Sequence, residues 1–217
     1  CPKISRTSCT TSPGERPGPA THRKCGRPGL NFSPARSPAR SLEVTMPGTP
    51  LDRDSIGHLI EGTPPLLEHY LSLEAQLQPN GFDMTVRDVA RLTTPGAIGA
   101  ADADRVLSDT ELMEFGDDGW LQLSTDPFLV TFNEVVNLPL DVMALGRPRS
   151  SLLRSGAGVH TAVWDAGYSG RSQALLVVYH SDGYRVQRDA RLMQLVFFRM
   201  ETAAIQGYQG RFQSENI

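Results

Sequence analysis

From Phe82 to Phe198 the sequence is a succession of short apolar runs separated by glycine, proline, asparagine and aspartate. That punctuation constrains the fold more than any other feature, because it leaves no room for long helices and favours strands joined by tight turns. The runs predicted as strands are Phe82 to Val89, Trp120 to Leu123, Phe128 to Phe132, Asp141 to Leu145, Val159 to Trp164, Ser172 to Tyr179, Tyr184 to Gln187 and Arg191 to Phe198. In the last run Leu192, Gln194, Val196 and Phe198 share one face and Met193, Leu195 and Phe197 the other, which predicts burial on both sides. Glycine (20) and proline (16) together supply about one residue in six, above the usual share. An antiparallel sandwich or barrel is the expected fold, with a small helical piece before it. In that piece Ile56, Leu59 and Ile60 recur at helical spacing behind Asp52 or Asp54, either of which can cap, and Gly62 ends the helix. Leu66 to Leu77 has weaker helical spacing and is stopped by Pro79-Asn80-Gly81.

The net charge of −3 conceals two unlike parts. Residues 1–45 hold eight Lys/Arg against Glu15 and Glu43, seven of the 16 prolines and all three cysteines (Cys1, Cys9, Cys25). A stretch with so little apolar periodicity cannot offset the entropy of ordering, so 1–45 is predicted to be a disordered basic tail. It opens on Cys1, and Met46 begins the first ordered-looking segment. Met46 is therefore a candidate start, and the tail need not belong to the native protein. An Arg- and Ser-rich targeting peptide fits less well, because the amphipathic face is missing. The cysteine spacing is irregular, with gaps of 8 and 16 residues, and does not form a zinc-ligand pattern. Residues 46–217 form the expected domain, with 13 basic against 22 acidic residues and no cysteine. No apolar run is long enough for a membrane helix, and nothing argues for secretion, so a cytoplasmic place is expected. A basic block like this one is more often solvated than bound to nucleic acid, and no nucleic-acid partner is expected.

Walker, dinucleotide-binding, HExxH and CxxC motifs are all missing, so the chemistry must lie in polar residues at strand ends. The densest such stretch runs from Arg147 to Gly156, with Arg147, Arg149 and Arg154 beside Ser150, Ser151 and Ser155. Guanidinium forks and hydroxyls suit phosphate oxygens. A polar helical turn whose arginines pair with surface acids explains the stretch equally well. In Thr161 to Gly170, Asp165 ends an apolar run, Gly167 turns the chain and Tyr168 follows. Read alone, that is more often a plain hairpin than a site. His160 reads as a structural histidine.

Taken together and in order, these segments resemble the dUTPase and dCTP-deaminase family over residues 51–217. Leu51 to Ile56 is similar to the N-terminal helix of the deaminase branch, and Gln78 to Met84 to the first motif. Pro148 to Arg154 is similar to the second motif, Thr161 to Gly170 to the third, Arg191 to Leu195 to the fourth, and Tyr208 to Gln213 to a short C-terminal motif. The wording of the third motif and of the ending Ser214 to Ile217 looks most like the archaeal-type dUTPases. The resemblance implies a mainly β fold, a distorted antiparallel barrel or jelly roll, assembled as a homotrimer with sites between subunits.

Deaminases of the family carry a glutamate ten residues after the Asp of the third motif. Here Leu175 stands there, and no Glu or Asp lies between Asp165 and Asp182. A leucine cannot move protons, so dUTP hydrolysis to dUMP and pyrophosphate is expected rather than cytosine deamination. That reaction would supply dUMP and limit uracil in DNA. The resemblance implies that Asp165 activates the attacking water and that Mg2+ bridges the triphosphate, with Asp83 holding one of its waters. Arg149, Ser150, Ser151 and Arg154 would grip phosphates with Gln194 assisting. Thr161, Ala162 and Val163 would read uracil through backbone groups, and Tyr168 would lie beneath the deoxyribose. Tyr208, Arg211 and Gln213 would close over the nucleotide. Two departures stand out: Ala162 replaces a glycine of typical trimeric dUTPases, and the C-terminal motif is the shorter version.

Overall fold

The computed structural model describes residues 48–217, so the expectation for 1–45 lies outside the described residues. In chain order the elements are α1 (Arg53–Ile60), β1 (Leu67–Glu68), α2 (Leu73–Gln76), β2 (Leu77–Gln78), β3 (Gly81–Leu92), β4 (Thr110–Leu112), β5 (Trp120–Leu123), β6 (Pro127–Phe132), β7 (Val135–Asn137), β8 (Val142–Pro148), α3 (Ser150–Arg154), β9 (Ala157–His160), β10 (Val163–Trp164), β11 (Ser169–Gly170), β12 (Gln173–Val178), β13 (Tyr184–Gln187) and β14 (Arg191–Arg199). A single 3-10 turn, Asp102–Asp104, interrupts the excursion between β3 and β4. The mainly β, antiparallel class expected from the punctuation holds.

A nine-stranded sheet runs in the order β10-β8-β14-β3-β6-β12-β9, with β2 and β4 also paired to β3. The long strand β3 turns the corner: Phe82 to Thr85 pair with β14, and Val86 to Arg91 pair with β6 past a bulge between Val86 and Asp88. The two ends of the sheet, β9 and β10, are consecutive in the chain and joined only by Thr161 and Ala162. A two-residue link forces the sheet to curl until its edges almost meet, and the seam falls at those two residues. β1, β7 and β11 form a small second sheet, and β13 with β5 a hairpin-like pair.

The core fills the curl. Phe128, Val130 and Phe132 on β6 and Ala174, Leu176 and Val178 on β12 are buried, while their alternating neighbours are half-exposed. They meet Phe82, Met84, Met193, Leu195 and Phe197, all fully buried. Each such side chain contributes about 1.5–3 kcal/mol by leaving water. On β14 only the Met193, Leu195 and Phe197 face is buried throughout. Gln194, Val196 and Phe198 are half-exposed, so the predicted two-sided burial is only partly met.

Asp52 caps α1 by accepting from Ser55 N at 2.8 Å, and Ile56 and Ile60 face inward. The weak helical spacing of Leu66 to Leu77 yields only the four-residue α2, preceded by β1. The reason is Gln76, which is buried and whose Oε1 accepts from Leu71 N at 2.7 Å and Ser72 N at 2.8 Å. Those amides are thereby drawn away from any helical ladder.

Candidate active site

At the seam lies a cavity of about 570 Å³. Ala162, Val163, Trp164, Asp165 and Tyr168 line it, continuing through Ser172 to Gln173 at the start of β12. Leu92 of β3, Leu107 and Ser108 of the β3–β4 excursion, Thr110 of β4 and Leu129 of β6 also line it, and Tyr208, Phe212 and Glu215 come from the C-terminal segment. Asp165 is exposed and Trp164 beside it is buried. Tyr168 N donates to Asp165 O at 3.1 Å, closing a turn whose third residue, Gly167, sits at φ +81°. A side chain there would be strained, and a Cβ would fall 2.5 Å from Gly207 Cα. Glycine at 167 therefore lets the C-terminal segment lie directly on the turn.

That segment is tied down in register. Tyr208 N donates to Ala166 O at 2.8 Å, Ser214 N to Ser169 O at 2.7 Å, and Arg171 N to Glu215 O at 2.9 Å. Gln213 bridges the same loop: its Nε2 donates to Gly167 O and its Oε1 accepts from Ser169 N, both at 3.1 Å. Tyr168 is buried, donates its hydroxyl to Glu215 Oε1 at 2.9 Å and meets Tyr208 edge-on at 5.9 Å. Burial and the neighbouring Glu215 carboxylate push the Tyr168 hydroxyl pKa up; burial raises Glu215 as well, against the bond from Tyr168.

A second polar group forms where β3, β14 and α3 meet. Asp83 is only 2% exposed, and its Oδ2 lies 3.3 Å from Arg149 Nε and 3.4 Å from Arg191 Nη1. Burial raises the Asp83 carboxyl above its ordinary range, and the Arg149 and Arg191 charges oppose that rise. Gln194 sits opposite both Asp83 and Arg147 in the sheet. Gly81 allows this, because a Cβ there would fall 2.9 Å from Gln194 Nε2. Arg149 N donates to Leu192 O at 3.1 Å, fixing the start of α3, while Ser150, Ser151 and Arg154 on that helix are exposed.

The sequence-predicted residues thus fall into two places. Ala162, Val163, Asp165, Tyr208 and Tyr168 share the cavity. Arg149 and Gln194 gather at Asp83, with Ser150, Ser151 and Arg154 on the adjoining helix, and none of these five lines the cavity. Thr161 packs against Gly146 of β8, and Arg211 is exposed on the C-terminal segment. His160 is exposed and shares a hydrogen bond with Tyr179 Oη at 2.9 Å.

Sequence reasoning missed Arg191 as partner of Asp83, Glu215 as partner of Tyr168, and a wholly buried carboxylate, Glu134. Glu134 Oε1 accepts from Thr85 Oγ1 at 2.5 Å and Gln76 Nε2 at 2.6 Å, and Oε2 accepts from Thr85 N at 2.9 Å. Its pKa is raised by burial against those bonds. Gln76 Nε2 also donates to Asp83 O at 2.9 Å, linking this network to the charged cluster.

With this geometry in view, the family model described as dCTP deaminase-like matches residues 51–200. The chain belongs to the dCTP deaminase-like family. It is 43% identical over 169 residues to a probable deoxyuridine 5'-triphosphate nucleotidohydrolase of Methanococcoides burtonii, covering 78% of this chain and 99% of that protein. It is 45% identical over 167 residues to the protein of the same description from Archaeoglobus fulgidus, covering 77% of this chain and 97% of that one. Among solved structures, the 2'-deoxycytidine 5'-triphosphate deaminase of Agrobacterium tumefaciens superposes with a TM-score of 0.54 at 22% identity, over 71% of this chain and 49% of that one. The curled sheet with its seam is therefore the dCTP deaminase-like fold, as the motifs implied.

Proposed function

We propose that this chain hydrolyses dUTP to dUMP and pyrophosphate, and that residues 46–217 are its catalytic unit. The observation that carries this reading is the cavity wall. Asp165 stands exposed at the seam, whereas β12, where a deaminase of the family carries its glutamate, holds Leu175 and no ionisable side chain. The other carboxylate of the wall, Glu215, is occupied as the acceptor of the Tyr168 hydroxyl. The likeness over nearly the whole length of archaeal relatives described as probable dUTP nucleotidohydrolases supports the same substrate.

In the proposed reaction Asp165 orients a water and takes its proton as the water oxygen bonds to the α-phosphorus, and the bond to the departing pyrophosphate breaks. Positioning and charge stabilisation supply most of such a rate. Backbone groups of Thr161 to Val163 hold the uracil, and Tyr168 lies under the deoxyribose. Arg149, held through Nε by Asp83 and through Nη1 by Arg191 O at 3.5 Å, keeps Nη2 for phosphate oxygens, with Ser150, Ser151, Arg154 and Gln194 around it. Tyr208, Arg211 and Gln213 complete the enclosure. Because the phosphate-type residues of one chain lie outside its own cavity wall, we read the working enzyme as a homotrimer in which one subunit's cluster serves another's cavity.

Mg2+ would be carried by the triphosphate of dUTP, where it would offset negative charge. Among the described residues no group of three or more His, Cys, Asp or Glu side chains could hold an ion, and Asp83 is already engaged by two arginines. A cytoplasmic place completes the proposal; no helix among the described residues is long and apolar enough to cross a membrane.

The test incubates the full chain with dUTP, dCTP, dTTP and UTP in the presence of Mg2+ and follows pyrophosphate and ammonia separately. Pyrophosphate from dUTP without ammonia from dCTP is the expected result. Ammonia from dCTP would mean that a group other than the missing β12 glutamate activates water on the ring.

A further inference from the structure

Tyr168 is held at three points. Its hydroxyl donates to Glu215 Oε1 at 2.9 Å, its ring meets Tyr208 at 5.9 Å and an interplanar angle of 64°, and its hydroxyl end rests on Gly170. A Cβ at Gly170 would lie 2.7 Å from Tyr168 Oη and 3.3 Å from Glu215 Cγ, so the absent side chain is what admits the pair. Two of the three supports belong to the C-terminal segment. That segment is itself fixed to the loop bearing Asp165 and Tyr168, through Ser214 N to Ser169 O and Arg171 N to Glu215 O.

We propose that Glu215 is a specificity-determining positioning residue, which fixes the Tyr168 ring and thereby sets the rejection of a 2'-hydroxyl. The inference rests on the reading of the cavity as a deoxynucleotide site, and it adds a residue that the motif resemblance does not assign. A pocket wall that excludes one hydroxyl by contact gains only about 100-fold in selectivity, and a small displacement of the wall forfeits it. A tyrosine ring has two side-chain torsions. With its far end tethered neither is free, whereas without Glu215 the ring can tilt away from the sugar while the Tyr208 contact remains.

The test uses the full chain as wild type, Glu215→Ala, Glu215→Gln, Tyr168→Phe and the Glu215→Ala/Tyr168→Phe double variant. Two ratios are measured: kcat/KM for dUTP over UTP, and Kd for dUMP over UMP, read from quenching of tryptophan emission, since Trp164 lines the cavity. Glu215→Ala is expected to lower deoxyribose preference about tenfold or more, with UTP gaining; Glu215→Gln, which keeps an acceptor, holds it within about threefold. Tyr168→Phe should match Glu215→Ala, and the double variant should fall no further, because both remove one hydrogen bond. Unchanged ratios in Glu215→Ala, even with a lowered Tm, would overturn the proposal and leave Glu215 as a tether. If the wild type binds deoxyribonucleotides selectively but releases no pyrophosphate, the hydrolase reading fails and the Kd ratios still judge Glu215. A wild type with no preference in either ratio overturns this proposal as well.

Discussion

Asp165 and Asp83 are both aspartates on one curled sheet, and the molecule treats them in opposite ways. Asp165 is exposed at the mouth of an apolar cavity and forms no ion pair among the described residues. Asp83 is 2% exposed and sits between two guanidiniums. A carboxylate that must handle a water needs access, and one that must hold arginines in place needs enclosure. On the proposed reading the same residue type is thus a reactive group in one region and, between its two arginines, a scaffold in the other. The scaffold is itself braced from below, by Gln76 bonding both Asp83 O and Glu134.

The contrast is broken most severely at Asp83. Asp83→Ala leaves Arg149 and Arg191 facing each other without their shared counter-charge and is expected to cost about 3 kcal/mol of stability, read from urea unfolding. Asp165→Ala, at an exposed turn position, should stay within about 0.5 kcal/mol of wild type in the same assay. Equal losses at the two sites would dissolve the distinction. Next comes Glu134→Gln. The carboxylate accepts from Thr85 N, Thr85 Oγ1 and Gln76 Nε2, so an amide must set one donor against another, at an expected cost of about 1–3 kcal/mol.

On the cavity side, Gly167→Ala puts a Cβ at φ +81° and against Gly207. It should cost about 1–2 kcal/mol and loosen the C-terminal segment, seen as faster amide exchange at Tyr208 and Ser214. The smallest effect is in pH. Asp83 and Glu134 have folded pKa values raised by burial, so the folded state takes up their protons more readily than the unfolded chain. Their contribution is therefore fully present below the ordinary carboxylate range and is lost as pH rises through the raised values. Asp83→Asn with Glu134→Gln should flatten that part of the stability profile, measured by urea unfolding across the acid range.

Much of this frame was legible in the residues. An aspartate cap on α1 at Asp52 or Asp54, the short strands that become β6 and β12, and the turn at Asp165 to Tyr168 all follow from local propensity and period. What escaped depended on partners distant in sequence. Gln76 breaks the helical reading of Leu66 to Leu77 because its side chain binds backbone nearby and Glu134 fifty-eight positions away. Val159 to Trp164 reads as one strand but divides into β9 and β10, since Thr161 and Ala162 must bridge the two edges of the curled sheet. Arg191 and Glu215 carry no periodic signal; a buried acid in β3 and a buried tyrosine hydroxyl each demanded a partner without saying which.

The central claim is that Asp165 performs chemistry and little else. Asp165→Asn measured for dUTP Kd and for single-turnover pyrophosphate release tests it most directly. The account predicts unchanged folding, a Kd within about threefold of wild type, and a hydrolysis rate lower by about a thousandfold. Hydrolysis at the wild-type rate with dUTP bound normally would contradict it.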